Sequence, residues 1–165
     1  MSLNSLDELL SEQLQDLYSA EKQLIDALPK LASAAKSPRL RKAFEDHLEE
    51  TKLQKERLER AFTELGIKKN GHTCKAMKGL IEEGEELLKK RGIDKDVRDA
   101  GLIAAAQRVE HYEIAAYGCA RAYADRMGKQ TVAKLLDETL IEEKEADQKL
   151  NIIALDEVNA KADET

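Results

Sequence analysis

Leucines recur at spacings of three and four from the start of the chain: Leu6, Leu10, Leu14 and Leu17, then Leu24, Leu28 and Leu31. Such spacing keeps one face of a 3.6-residue helix apolar. Glu21 stands in that stripe where another apolar side chain belongs. A long apolar stripe interrupted by a carboxylate constrains the fold most, because the pattern returns in three further segments. The second carries Leu40, Ala43, His47, Glu50, Gln54, Leu58, Ala61 and Leu65. The third carries Ile103, Ala106, Glu110, Glu113, Tyr117, Ala120, Ala124 and Met127. The fourth carries Val132, Leu136, Thr139, Glu143, Ala146, Leu150 and Ile153, with Asp147 one turn past Glu143.

Local signals place the ends of these helices. Pro29 is expected to distort the last turns of the first, because it removes an N–H and crowds the preceding turn. Ser37 reads as an N-cap with Pro38 as the first helical residue, and Gly66 as a stop. Residues 68–73 read as a loop with a turn signal at Asn70-Gly71. A shorter amphipathic helix over about 75–90 turns Met77, Leu80, Ile81, Leu87 and Leu88 inward and ends at Gly92. Asp94 or Asp96 caps the next helix, and Gly128 separates the last two. The long helices are expected over about 4–35, 38–65, 96–127 and 129–158. Tight turns near Lys36 and Gly128 make two antiparallel hairpins. The stretch from Gly66 to Asp94 is long enough to travel back along the bundle and join them. The expected fold is therefore all-α: a ferritin-like four-helix bundle with one additional short helix in the crossover, as a single domain over 1–165.

Composition narrows the function. With 42% hydrophobic and 36% charged residues, the chain is not disordered by composition. The net charge of -6, with both signs mixed along the chain, offers no basic face, so nucleic acid is not an expected partner. No apolar run reaches membrane-spanning length, and polar and acidic residues follow Met1, so no membrane partner or signal peptide is expected and the location is taken as cytoplasmic. Cys74 and Cys119 form no CxxC pair and are expected to be reduced. His72 with Cys74 reads as a surface turn.

The carboxylates share a height as well as a face. Glu21 and Glu50 lie symmetrically about the first turn, and Glu113 and Glu143 about Gly128, each about 15 residues away, or roughly 22 Å at 1.5 Å per residue. Shifting the first helix by 92 positions brings Glu21 onto Glu113 and Tyr18 onto Glu110. Shifting the second by 93 brings Glu50 onto Glu143 and Gln54 onto Asp147. The hairpins are thus approximate repeats, and the acidic side chains converge mid-bundle. A buried, unpaired carboxylate costs several kcal/mol or takes up a proton. Two divalent cations would remove that cost, and hard oxygen ligands with an imidazole suit iron first and manganese second. The candidate ligands are Glu21, Glu50, Glu110, Glu113 and Glu143, with His47, Gln54 and Asp147. Glu49, Glu142 and Glu145 are expected at the surface, and His111 at the surface or behind the ligands. Tyr18 and Tyr117 lie on the inner face, either as core residues or bonded to ligands. Ala104, Ala105, Ala106, Ala115, Ala116 and Gly118 either leave room for an oxidant or serve close helix packing.

The segments Tyr18-Ser19-Ala20-Glu21-Lys22-Gln23-Leu24, His47-Leu48-Glu49-Glu50-Thr51, Val109-Glu110-His111-Tyr112-Glu113 and Glu142-Glu143-Lys144-Glu145-Ala146-Asp147 resemble the YciE/YciF family of ferritin-like proteins over nearly the whole chain. The resemblance implies a bacterial, cytoplasmic, stress-associated protein and a small oligomer, a homodimer being the expectation. A more distant likeness is to rubrerythrin. Glu21 and Glu110-x-x-Glu113 match its pattern, whereas Leu53 and Ala146 stand where its histidines fall. Its CxxC-bearing rubredoxin domain has no counterpart. The expected function is a dinuclear iron or iron/manganese carboxylate protein that oxidises ferrous iron or reduces peroxide, so that metal ions, peroxide and oxygen are its partners. The alternative is a non-enzymatic structural or interaction bundle in which the metal pair only stabilises the fold.

Overall fold

The computed structural model describes residues 3–69 and 71–165. Its long helices are α1 (Leu6–Ala34), α2 (Pro38–Leu65), α4 (Lys95–Arg126) and α5 (Gln130–Ile153), with the shorter α3 (Lys75–Lys89) between the hairpins. After α5 the chain winds through a π-helical segment, Ala154–Val158, into α6 (Asn159–Asp163). Among the described residues there is no strand. Adjacent long helices run antiparallel in the cyclic order α1, α2, α5, α4. The crossover carries the chain from one end of the bundle to the other, and α3 packs along it against α4 and α1. This is the ferritin-like connection.

The ends form as their residues dictate. The Ser37 hydroxyl accepts from the Leu40 N–H at 3.3 Å, with Pro38 opening α2. Asp94 caps α4 through the N–H groups of Asp96 and Val97 at 2.7 and 3.2 Å. Gly66 and Gly128 adopt φ of 65° and 71°, where a side chain would be strained. α1 runs through Pro29 to Ala34, with the ring on the exposed side of the helix, where the carbonyl it leaves unbonded can meet water. One expectation needs correction. The His72–Cys74 stretch is not simply a surface turn. Cys74 is buried, its thiol caps α3 by accepting from the Met77 N–H at 3.3 Å, and its Sγ lies 3.1 Å from the Tyr112 hydroxyl. Asn70, half of the expected turn, lies outside the described residues. Both cysteines are free thiols.

The hairpins are locked together at a buried acid that the periodicity did not single out. Asp99, near the start of α4, accepts from the backbone N–H groups of Lys36 at 3.0 Å and Ser37 at 2.7 Å, in the α1–α2 turn. Replacing it by Ala leaves both donors without a partner, each costing about 1–3 kcal/mol. We expect Asp99→Ala to lower the unfolding free energy by about 3 kcal/mol in urea denaturation. A loss under about 0.5 kcal/mol, the scale of ordinary surface substitutions, contradicts the clamp.

The core is two apolar clusters rather than one. The first holds Leu24, Leu28, Leu40, Phe44, Leu102 and Leu150 at one end of the bundle. The second holds Leu10, Leu14, Leu58, Phe62, Leu136 and Tyr117 at the other. The layer between them is polar.

Candidate metal centre

All four long helices supply that layer. Glu21, Glu113 and Glu143 are fully buried, Glu110 is 2% exposed, and from α2 His47 and Gln54 are buried beside them. His47, Glu110, Glu113 and Glu143 each place one potential ligand atom within 4.8 Å of the others. Ligands opposite one another about an octahedral ion of the hard divalent type stand ~4.2 Å apart. An inward movement of about half an ångström therefore lets the group close on a cation.

Phase explains which α2 residues face in. At 100° per residue, Gln54 lies about 20° from His47 around the helix, whereas Glu50 lies about 60° away. Glu50 therefore sits at the edge of the ring, its side chain 45% exposed, with Oε2 3.3 Å from His47 Nδ1. That contact suits an Nδ1–H donating to Glu50, which leaves Nε2 free to serve as a ligand. Nε2 faces the ring, 3.2 Å from Glu110 Oε1 and 3.8 Å from Glu143 Oε2, without the direction a hydrogen bond requires.

Asp147 falls outside the ring. Its Oδ1 accepts from Gln107 Nε2 at 3.2 Å, and its Oδ2 lies 3.2 Å from Nε2 of the exposed His111. Gln54 donates to Glu142 at 3.1 Å and leaves its own carbonyl oxygen unpartnered. Tyr117 donates its hydroxyl to Glu21 Oε1. Tyr18 turns away, bonding Glu59 at 2.8 Å and packing edge-on against Phe62.

One buttress escaped sequence reasoning. Glu142 is not a free surface charge: Arg57 grips both its oxygens at 2.6 Å, and Glu142 in turn holds Gln54. The nearest hint was position, since Arg57 stands three residues after Gln54 and Glu142 directly before Glu143, both on the flank of a stripe. Glu49 and Glu145 are exposed as expected. Ala104 and Ala115 are also exposed, so they do not line the ring, while Ala105 makes a close approach to Gly84 of α3.

The electrostatics of the layer have one sign. Burial first, and the neighbouring Glu143 charge second, push the carboxyl groups of Glu21, Glu110 and Glu113 well above the usual range. Burial alone would lower His47, but Glu143 and the Glu50 contact carry it upward. Both carboxylate oxygens of Glu113 and of Glu143, with Glu21 Oε2 and Glu110 Oε2, have no hydrogen-bond partner while buried. Native interiors rarely leave such atoms unpaired, and a hard divalent cation is the ligand this donor set fits.

A pH dependence follows. Groups raised in the fold hold more protons folded than unfolded, so their contribution to stability is lost as pH rises through the raised values. The depressed acids, such as Asp16 and Glu59, finish titrating below that window. With chelator present, the urea midpoint is expected to fall between about pH 5.5 and about pH 8.5. Metal should reverse the order, since cations replace the protons. A metal-free midpoint that rises over that range contradicts the charge assignment.

Fold and site together define a class: ferritin-like helical bundles with a buried carboxylate–histidine cluster able to hold a metal ion. The chain belongs to the family described as "Domain of unknown function (DUF892)", which matches residues 5–163. It is 47% identical over 164 residues to Protein YciF of Escherichia coli (strain K12), covering 99% of this chain and 98% of that one. The crystal structure of the E. coli stress protein YciF superposes with a TM-score of 0.91 at 46% identity, over 95% of this chain and 99% of that one. YcfI of Rhodopseudomonas palustris, described as a proposed structural protein, gives 0.86 at 42% identity, over 91% and 95%. No helix among the described residues is long and apolar enough to cross a membrane.

Proposed function

We propose that this protein is a dinuclear metal carboxylate protein, with iron as the first metal and manganese as the second, that oxidises ferrous iron or reduces peroxide. The observation that carries the reading is the set of unpartnered carboxylate oxygens on Glu21, Glu110, Glu113 and Glu143, buried in one layer with His47. Four ionised glutamates balance two divalent cations. A pair of redox metals held by these residues would supply the electrons for reducing an oxidant.

The chain's own residues do the positioning. Glu113 and Glu143 offer two free oxygens each and would serve as ligands to the pair. The Tyr117 hydroxyl fixes one oxygen of Glu21 and leaves the other for a metal. Glu50 orients the His47 ring, while Arg57 and Glu142 hold Gln54. The two apolar clusters above and below exclude water, which strengthens every charge interaction in the layer.

The description of the E. coli relative as a stress protein supports a stress-related role, and a cytoplasmic homodimer is part of the same proposal. A second reading, in which the metal pair only stabilises the bundle, draws on the description of YcfI.

Redox kinetics separate the two. Protein loaded anaerobically with ferrous iron is mixed with peroxide or oxygen, and ferric absorption is followed. The enzyme reading expects oxidation much faster than that of iron in buffer, lost in Glu113→Leu. A rate equal to free iron with both oxidants leaves the stabilising role.

A further inference from the structure

The polar layer is not equally enclosed on all sides. The crossover helix α3 covers the bundle on the α1 and α4 side. The apolar gap beneath it, between Leu24, Leu80 and Val109, holds about 20 Å³ and touches none of the ring side chains. The α2–α5 seam has no such cover. There a cleft of about 210 Å³ opens between Ala43, His47 and Glu50 of α2 and Glu145, Ala146 and Lys149 of α5, and Glu110 forms part of its wall. His47 and Glu110 are 6% and 2% exposed, and each presents an unpartnered polar atom, Nε2 and Oε2. A water needs ~10–15 Å³ of such space, so the cleft has room for a divalent ion still carrying its octahedral water shell.

We propose that metal ions reach and leave the centre through this α2–α5 cleft, with Glu50 as the carboxylate that takes the ion from solvent and hands it to His47 and Glu110. The inference rests on the metal-binding part of the proposed function. Glu50 is the group in the right place. It is half-exposed, stands on the cleft wall, and touches the imidazole of the buried cluster at 3.3 Å. A carboxylate there can replace hydration waters one or two at a time, which spares the ion the cost of losing its shell in a single step. Ala43 and Ala146 keep the passage open by lacking bulk. Lys149, 3.2 Å from Asp46, puts a positive charge at the mouth and so slows cations.

A passage changes rates without changing equilibria. Narrowing it raises one barrier crossed in both directions, so uptake and release slow by the same factor and the dissociation constant stays fixed. Loss of a ligand instead shifts the constant. The test uses the full chain and cobalt(II), which is spectroscopically visible, with stopped-flow uptake and chelator-driven release. Ala146→Leu is expected to slow both by tenfold or more at unchanged stoichiometry and affinity. Lys149→Gln is expected to quicken uptake severalfold, and Glu50→Gln, which also frees the His47 ring, to slow uptake and weaken affinity together. Exposed Ala115→Leu on α4 serves as a control and should match wild type. If Ala146→Leu does not fold, the smaller Ala146→Val and Lys149→Gln carry the test. Wild-type rates in all the folded cleft variants overturn the route, while absence of cobalt binding in wild type overturns the metal reading itself.

Discussion

Glu113→Leu is expected to abolish metal binding and yet to make the metal-free protein more stable. Both effects follow from a carboxylate that is fully buried with neither oxygen bonded. Loss of a group that merely orients a ligand weakens metal affinity about 10–100-fold, so loss of a ligand between two ions should exceed about 100-fold. In the metal-free state the same side chain is a liability, held up by burial and by the charges of Glu143 and Glu21. Replacing buried ionic groups by apolar residues of similar volume is often neutral or stabilising by about 1–4 kcal/mol. We therefore expect the variant in chelator to unfold at a higher urea midpoint than wild type near pH 8, and to gain nothing from iron or manganese. Exposed Glu49→Ala should change neither quantity. A Glu113→Leu protein that binds metal like wild type contradicts the assignment of the ring.

The second large effect is on wild type. The candidate ligands meet only in the folded bundle, because they come from four helices that unfolding separates in space. A ligand at 100 times its dissociation constant adds about 2.7 kcal/mol, and at 1,000 times about 4.1 kcal/mol. The layer's own repulsion enlarges the contrast, since the metal-free reference is strained at neutral pH. Thermal unfolding should shift upward by several degrees or more with iron or manganese and fall back on adding chelator. A melting temperature insensitive to metal, in protein shown to contain it, contradicts the coupling of site and fold.

The helices, their caps and the crossover were legible because period, glycine and proline are local signals. Glu21, Glu110, Glu113 and Glu143 were legible for a related reason, as carboxylates set in otherwise apolar stripes. What could not be read was fine rotation. Spacings of three and four both count as one face, yet they deviate by 60° and 40° in opposite directions. That difference puts Glu50 at the rim and turns Asp147 toward Gln107 and His111. The Arg57–Glu142 pair and the Asp99 clamp depend on neighbours from other helices, which no single stripe reveals. The small residues left two readings open for the same reason: Ala105 packs against Gly84, and Ala43 and Ala146, rather than Ala104 and Ala115, lie beside the open seam.

Equilibrium metal content tests the central claim most directly. Protein stripped with chelator is titrated anaerobically with ferrous iron, and separately with manganese(II), and bound metal is counted after removal of free ions. The account predicts two ions per chain in wild type, balancing the four buried glutamates, and loss of both in Glu113→Leu. No bound metal in wild type, or the same content in wild type and Glu113→Leu, contradicts it.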